Sequence, residues 1–92
     1  MPKSAQAEDA AVMTPSYSDW RNANPLRAWR ATRSPRVGLH EAGGRLGVGV
    51  STIQTWESGS ARPNADNMLA LAAMTGIANI EQAWDTWLTH RP

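Results

Sequence analysis

The chain has 92 residues, five of them tryptophan and none cysteine. That length holds one small domain, comfortably stable only as a compact helical core or a dimer. The missing thiols exclude disulfides and thiolate chemistry and permit a reducing compartment. No apolar run reaches the ~18 residues of a membrane span, and the first residues lack a signal peptide's hydrophobic region, so the expectation is a cytoplasmic protein with no membrane partner.

The formal net charge of +1 argues only weakly for a nucleic-acid partner, but its distribution says more. Residues 1–20 set Lys3 against Glu8, Asp9 and Asp19, a net of −2. Residues 21–62 set seven arginines (21, 27, 30, 33, 36, 45 and 62) against Glu41 and Glu57, a net of +5. Residues 63–92 return to −2, with Arg91 against Asp66, Glu81 and Asp85. A local basic excess is what binding to phosphates requires; a merely solvated basic surface is the alternative.

Met1 to about Ser16 mixes alanine, serine, glutamine and two prolines without a period, which predicts disorder. We expect a flexible tail over 1–19 and a folded domain over 20–92. Tyr17 and Trp20 are the first residues able to anchor anything, and a short extra helix can begin there. Asn24-Pro25 reads as an N-cap and first helical residue, opening a helix that runs to about Arg33 with Leu26, Trp29 and Arg30 on one stripe. Ser34-Pro35 ends it. An arginine on a core-facing stripe requires a partner.

The next helix starts near Gly38 or Leu39. Ala42, Gly43 and Leu46 share one of its faces, and Gly43 and Gly44 each weaken it by roughly 1 kcal/mol. Gly47-Val48-Gly49 then breaks the chain, since glycine adopts the positive φ of a sharp turn. A second short helix spans Val50 to Glu57, with Ile53 and Trp56 pointing inward. Ser51, Thr52, Gln54, Thr55 and Ser58 point elsewhere. Two short helices around a glycine turn make a helix-turn-helix, whose second helix enters the DNA major groove.

Gly59 to Pro63 is a loop. Asn64 caps a helix from Ala65 to about Thr75, with Met68, Leu69, Leu71 and Ala72 expected on its inner face and Gly76 at its end. Asn79 is the expected cap of a last helix, in which Ile77, Ile80, Ala83, Trp84, Trp87 and Leu88 recur at intervals of three and four. Its two tryptophans suit either the core or a dimer seam.

The run LGVGVSTIQTWESG resembles the helix-turn-helix of the Cro and phage-repressor family, also called the xenobiotic-response-element type. Leu46, Gly47, Val48, Ser51, Thr52, Ile53, Trp56, Glu57 and Gly59 fall in place without a gap, and the likeness extends over about Asn24 to Leu88. The resemblance implies an all-α, compact five-helix lambda-repressor-like DNA-binding domain behind a disordered N-terminal tail. It also implies a partly buried ion pair between Arg30 and Glu57. Gly43 stands where the family prefers alanine because the following helix crosses closely. Leu39 departs from the family, which often has a phosphate-binding glutamine there, so that contact passes to His40 or is lost. The family's exit loop lies along the DNA backbone, which makes Arg62 the expected best phosphate ligand.

The expected base-contacting residues are Val50, Ser51, Gln54 and Thr55. Gln54 suits adenine, Val50 a thymine methyl, and the hydroxyls several partners. With no arginine on this face, recognition leans toward A·T pairs. His40, Thr52, Ser58, Ser60, Arg62 and Asn64 are the expected phosphate contacts, Asn64 at a helix N-terminus.

The resulting expectation is a bacterial or phage-encoded transcriptional regulator, a repressor of phage or mobile-element type that binds an operator inverted repeat in double-stranded DNA as a homodimer. The alternative is an antitoxin or other protein-interaction module of the same fold, engaging a partner through the tail or the last helix. The glycine-rich GGRLGVG is not a nucleotide loop, since no strand precedes it and no GK[ST] follows. His40 and His90 are the only histidines, with no metal-ligand cluster or pocketed carboxylate pair, so neither an enzyme, a cofactor nor a metal is expected.

Overall fold

The computed structural model describes residues 16–92. The expected disorder of residues 1–15 lies outside the described residues. Those described form six helices: α1 (Tyr17–Asn22), α2 (Pro25–Ala31), α3 (Leu39–Leu46), α4 (Val50–Glu57), α5 (Ala65–Thr75) and α6 (Ile80–Thr89). The all-α architecture with its helix-turn-helix is therefore present, with α1 added to the five expected helices. Because α1 starts at Tyr17, residues 17–19 of the stretch read as tail form its first turn, capped by the Ser16 hydroxyl, which accepts from the Asp19 amide.

Local chemistry explains most boundaries. The Asn24 side-chain oxygen accepts from the amides of Leu26 and Arg27, and Pro25 occupies the first turn of α2, where a missing N–H costs nothing. α2 closes at Ala31, two residues before the expected Arg33, ahead of the Ser34–Pro35 dipeptide that disfavours helical backbone. The Asn64 side chain accepts from Asn67 N–H to start α5. Asn79 is the N-cap residue of α6 as expected, although its side chain makes no capping hydrogen bond.

The elbow between α3 and α4 is tight. Gly47 closes α3 in the left-handed region, with φ of 71°. Gly43 serves a different purpose: a Cβ there would lie 2.6 Å from the Val48 carbonyl oxygen, closer than real side chains approach. The family's alanine would clash in this chain, so Gly43 is required by the turn's return path.

Leu26, Ile53, Met68, Leu71, Ile80 and Trp84 are fully buried at the centre, with Ala42 and Val37 beside them. Leu69 is a second correction, standing 72% exposed rather than on the inner face of α5. A helix of this radius turns only one stripe inward, and Met68 and Leu71 occupy it.

The surplus apolar surface of α6 is covered within the chain. Trp87 stacks on Trp20 of α1 with ring centroids 4.2 Å apart and planes 3° from parallel. Trp20 Nε1–H donates to the Trp87 carbonyl at 2.7 Å, and Trp87 Nε1–H donates to the Trp20 carbonyl at 2.6 Å. Arg91 closes this seam from outside, with its guanidinium over the Trp20 ring and a hydrogen bond to the Gly59 carbonyl. Trp84 meets Trp87 edge-on, and both are buried. Of the two readings open for the α6 tryptophans, core or dimer seam, the structure supports core: both are buried within one chain.

Candidate nucleic-acid interface

The inner face of α4 holds the helix in place. Ile53 and Trp56 are buried, as is Glu57 at the last turn. Arg30 of α2 meets Glu57 through both carboxylate oxygens: Nε–H donates to Oε2 at 2.8 Å and an Nη2 hydrogen to Oε1 at 2.7 Å. Arg30 also donates to the Val37 carbonyl at 3.0 Å, so one guanidinium ties together α2, the loop before α3 and the end of α4. The pair is fully buried, deeper than the partly buried bridge expected, with each side chain 3% exposed. Burial of two charges is tolerable here because the fork-to-fork geometry satisfies both.

The outer face is polar and open. Ser51 and Gln54 are exposed, while Val50 and Thr55 are half-buried. Gln54 has both its donor and its acceptor free for a base edge. Thr55 is more limited, since its hydroxyl donates to the Ser51 carbonyl at 2.7 Å and retains only lone pairs for a ligand. No side chain caps the start of α4 at Gly49, whereas the Thr52 and Ile53 amides donate to the Gly49 carbonyl.

The structure gathers Ser51, Gln54, Thr55 and Ser58 along one wall of an open groove of about 420 Å³, with Leu39 at the start of α3. Arg21 of α1 and Arg27 of α2 line the same groove, as does Glu57. Val50, Thr52, His40, Ser60, Arg62 and Asn64 lie outside this groove. His40 is exposed in the first turn of α3, and Thr52 is half-buried. The hydroxyls of Ser58 and Ser60 are 2.9 Å apart and bonded to each other. Asn64 is exposed, its oxygen engaged by the α5 cap and its amide group left to donate.

Arg62 has a different occupation from the one expected. Its Nε donates to Asp85 Oδ1 at 2.7 Å and its Nη2 to Oδ2 at 3.2 Å, with Glu81 at 3.6 Å. The hydrogen bond from Arg62 holds the Asp85 carboxyl below its usual range, and that carboxylate reinforces the protonated guanidinium in return. The side chain thus staples the exit loop to α6. Its two carboxylate partners come from the acidic C-terminal block, 19 and 23 residues on, which no local pattern pairs with the loop.

Arg21 and Arg27 were not singled out by sequence reasoning. For Arg27 a signal existed: it lies three residues before Arg30 and so shares that face of the helix. For Arg21 the only signal is its membership of the basic block of residues 21–62, because its position depends on Trp20 docking against a helix at the far end of the chain.

Comparison with known proteins adds the family. Residues 39–78, from the start of α3 past the end of α5, match the family model described as helix-turn-helix. That span belongs to the Cro/C1-type helix-turn-helix family. The match makes the protein a DNA-binding transcriptional regulator in the general sense, with α4 in the position of the recognition helix. Neither the curated proteins nor the solved structures searched gave a match. No helix among the described residues is long and apolar enough to cross a membrane.

Proposed function

We propose that this helix-turn-helix protein is a sequence-specific repressor of phage or mobile-element type, bound as a homodimer to an operator inverted repeat in double-stranded DNA. α4 enters the major groove with Val50, Ser51, Gln54 and Thr55 against base edges. His40, Thr52, Ser58, Ser60 and Asn64 meet the flanking phosphates. Arg62 joins them only by exchanging Asp85 for a phosphate.

The observation that carries this reading is the exposed Gln54, held outward by the buried Ile53, Trp56 and Glu57, in a groove lined by two arginines. A second copy must dock away from the α6 tryptophans. Leu69 supports one such surface, being the most exposed large apolar side chain among the described residues and lying beside a groove of about 280 Å³ between α5 and α6.

Selection from random duplexes, read together with the stoichiometry of the shifted complex, tests the proposal. Two protomers on half-sites one helical turn apart, about 34 Å, are expected. A single protomer on an asymmetric site would remove the dimer, and recovery of unselected sequence would remove the sequence-specific repressor.

A further inference from the structure

Arg21 and Arg27 lie upstream of the family match and belong to none of its parts. Both line the groove beside Ser51, Gln54, Thr55 and Ser58, and both also line the adjoining hollow with Ser18 and Asn22. The carboxylate in this groove is that of Glu57, whose two oxygens Arg30 already engages at 2.7 and 2.8 Å. With Glu57 neutralised by Arg30, two guanidinium groups leave the groove positively charged.

Arg27 is aimed by its surroundings. Its Nε donates to Asn22 Oδ1 at 2.9 Å and its Nη1 lies 3.8 Å from Glu57, which fixes the side chain's direction across the groove edge. Arg21 is held by a looser contact, its guanidinium lying over the Tyr17 ring at 5.8 Å from the centroid. Among the described residues it has no carboxylate partner, and its Nε is buried without a hydrogen-bond acceptor. A buried unmet donor is costly. Swinging this side chain into the groove breaks no hydrogen bond from Nε and offers that donor an acceptor.

We infer that Arg21 and Arg27 together hold one backbone phosphate of duplex DNA at the edge of the groove that α4 enters. The inference rests on the reading of α4 as the DNA-reading helix. Guanidinium forks match phosphate oxygens in geometry as well as charge, so two of them converging on one anion make a positioning contact. α1 thereby acquires a second role. The Trp20–Trp87 stack covers α6 and, one residue on, delivers Arg21 to the DNA side of the molecule.

The test uses the full chain and a mixed-sequence duplex, titrated at salt concentrations from about 50 to 200 mM. Wild type is compared with Arg21→Gln, Arg27→Gln, the double variant and Arg21→Lys, each checked for fold by circular dichroism. The double variant is expected to bind every sequence more weakly, with the slope of log K against log salt shallower by about 0.9, the value of one phosphate on B-DNA. Each glutamine variant falls between, and Arg21→Lys keeps most of the wild-type slope.

An unchanged slope in a folded double variant, on DNA that wild type binds, overturns the inference and leaves the DNA reading intact. A change of about twice that size, two phosphates' worth, overturns the shared contact. Should the double variant unfold, Arg21→Gln and Arg21→Lys decide alone, and equal slopes for these two sink the proposal. If wild type binds no duplex but binds an oligoglutamate peptide, the groove takes acidic protein, and both readings fall.

Discussion

Two arginine–carboxylate junctions hold α4 and the loop that follows it, and they are built differently. Arg30 and Glu57 join α2 to the end of α4 inside the protein, each side chain 3% exposed, with a third bond to the Val37 carbonyl. Arg62 and Asp85 join the exit loop to α6 at the surface, where the side chains are 38% and 56% exposed. The bidentate geometry is the same, but the surroundings are not. Buried, the guanidinium is a structural part whose loss strands a charge away from water. Exposed, it is a tether in competition with solvent, salt and any phosphate that comes near.

Glu57→Ala probes the inner junction most severely. Leaving Arg30 buried and unpaired is expected to cost about 3–5 kcal/mol in chemical denaturation; a loss within ~0.5 kcal/mol, as at ordinary surface positions, would make the two junctions equivalent. Arg30→Lys is the gentler probe. It keeps the charge but loses the planar fork and the reach to Val37, for an expected loss of about 1.5–3 kcal/mol. At the outer junction, Arg62→Ala is expected to change stability by only ~0–1 kcal/mol.

Acid separates the junctions further. A carboxyl whose folded-state pKa lies below its unfolded value contributes stability above the unfolded value, and that contribution disappears as pH falls through the folded one. Asp85 is such a group, held down by the hydrogen bond from Arg62. Wild type is therefore expected to unfold later than Asp85→Asn near neutrality, with the difference vanishing below the ordinary carboxylate range. A difference that persists at low pH would mean that Asp85 acts by packing rather than by charge.

The sequence made legible what is local or what the family pattern carries. Gly47 at the elbow, the side-chain caps at Asn24 and Asn64, and Gly76 ending α5 are decided within a few residues of where they act. The Arg30–Glu57 pairing came from resemblance, because nothing in the stripe of α2 names a partner 27 residues away. What local patterns left open is long-range. Trp20 and Trp87 are 67 residues apart, and only their meeting shows that the apolar face of α6 is core. The carboxylates that tether Arg62 sit a full helix further on, out of reach of any local pattern. Leu69 fell within the run expected to face inward, and periodicity alone did not show that Met68 and Leu71 fill the stripe. At the interface, Ser51 and Gln54 are where a helical wheel puts them, whereas Arg21 reaches the groove only through tertiary packing.

The account turns on the outward face of α4 meeting base edges. Gln54→Ala, measured on the duplex that wild type selects and on random duplex side by side, tests this most directly. The expected result is a loss of about 1–3 kcal/mol on the selected sequence, with preference relaxed at one position and random-duplex affinity nearly unchanged. An equal loss on both, or none on either, would contradict it.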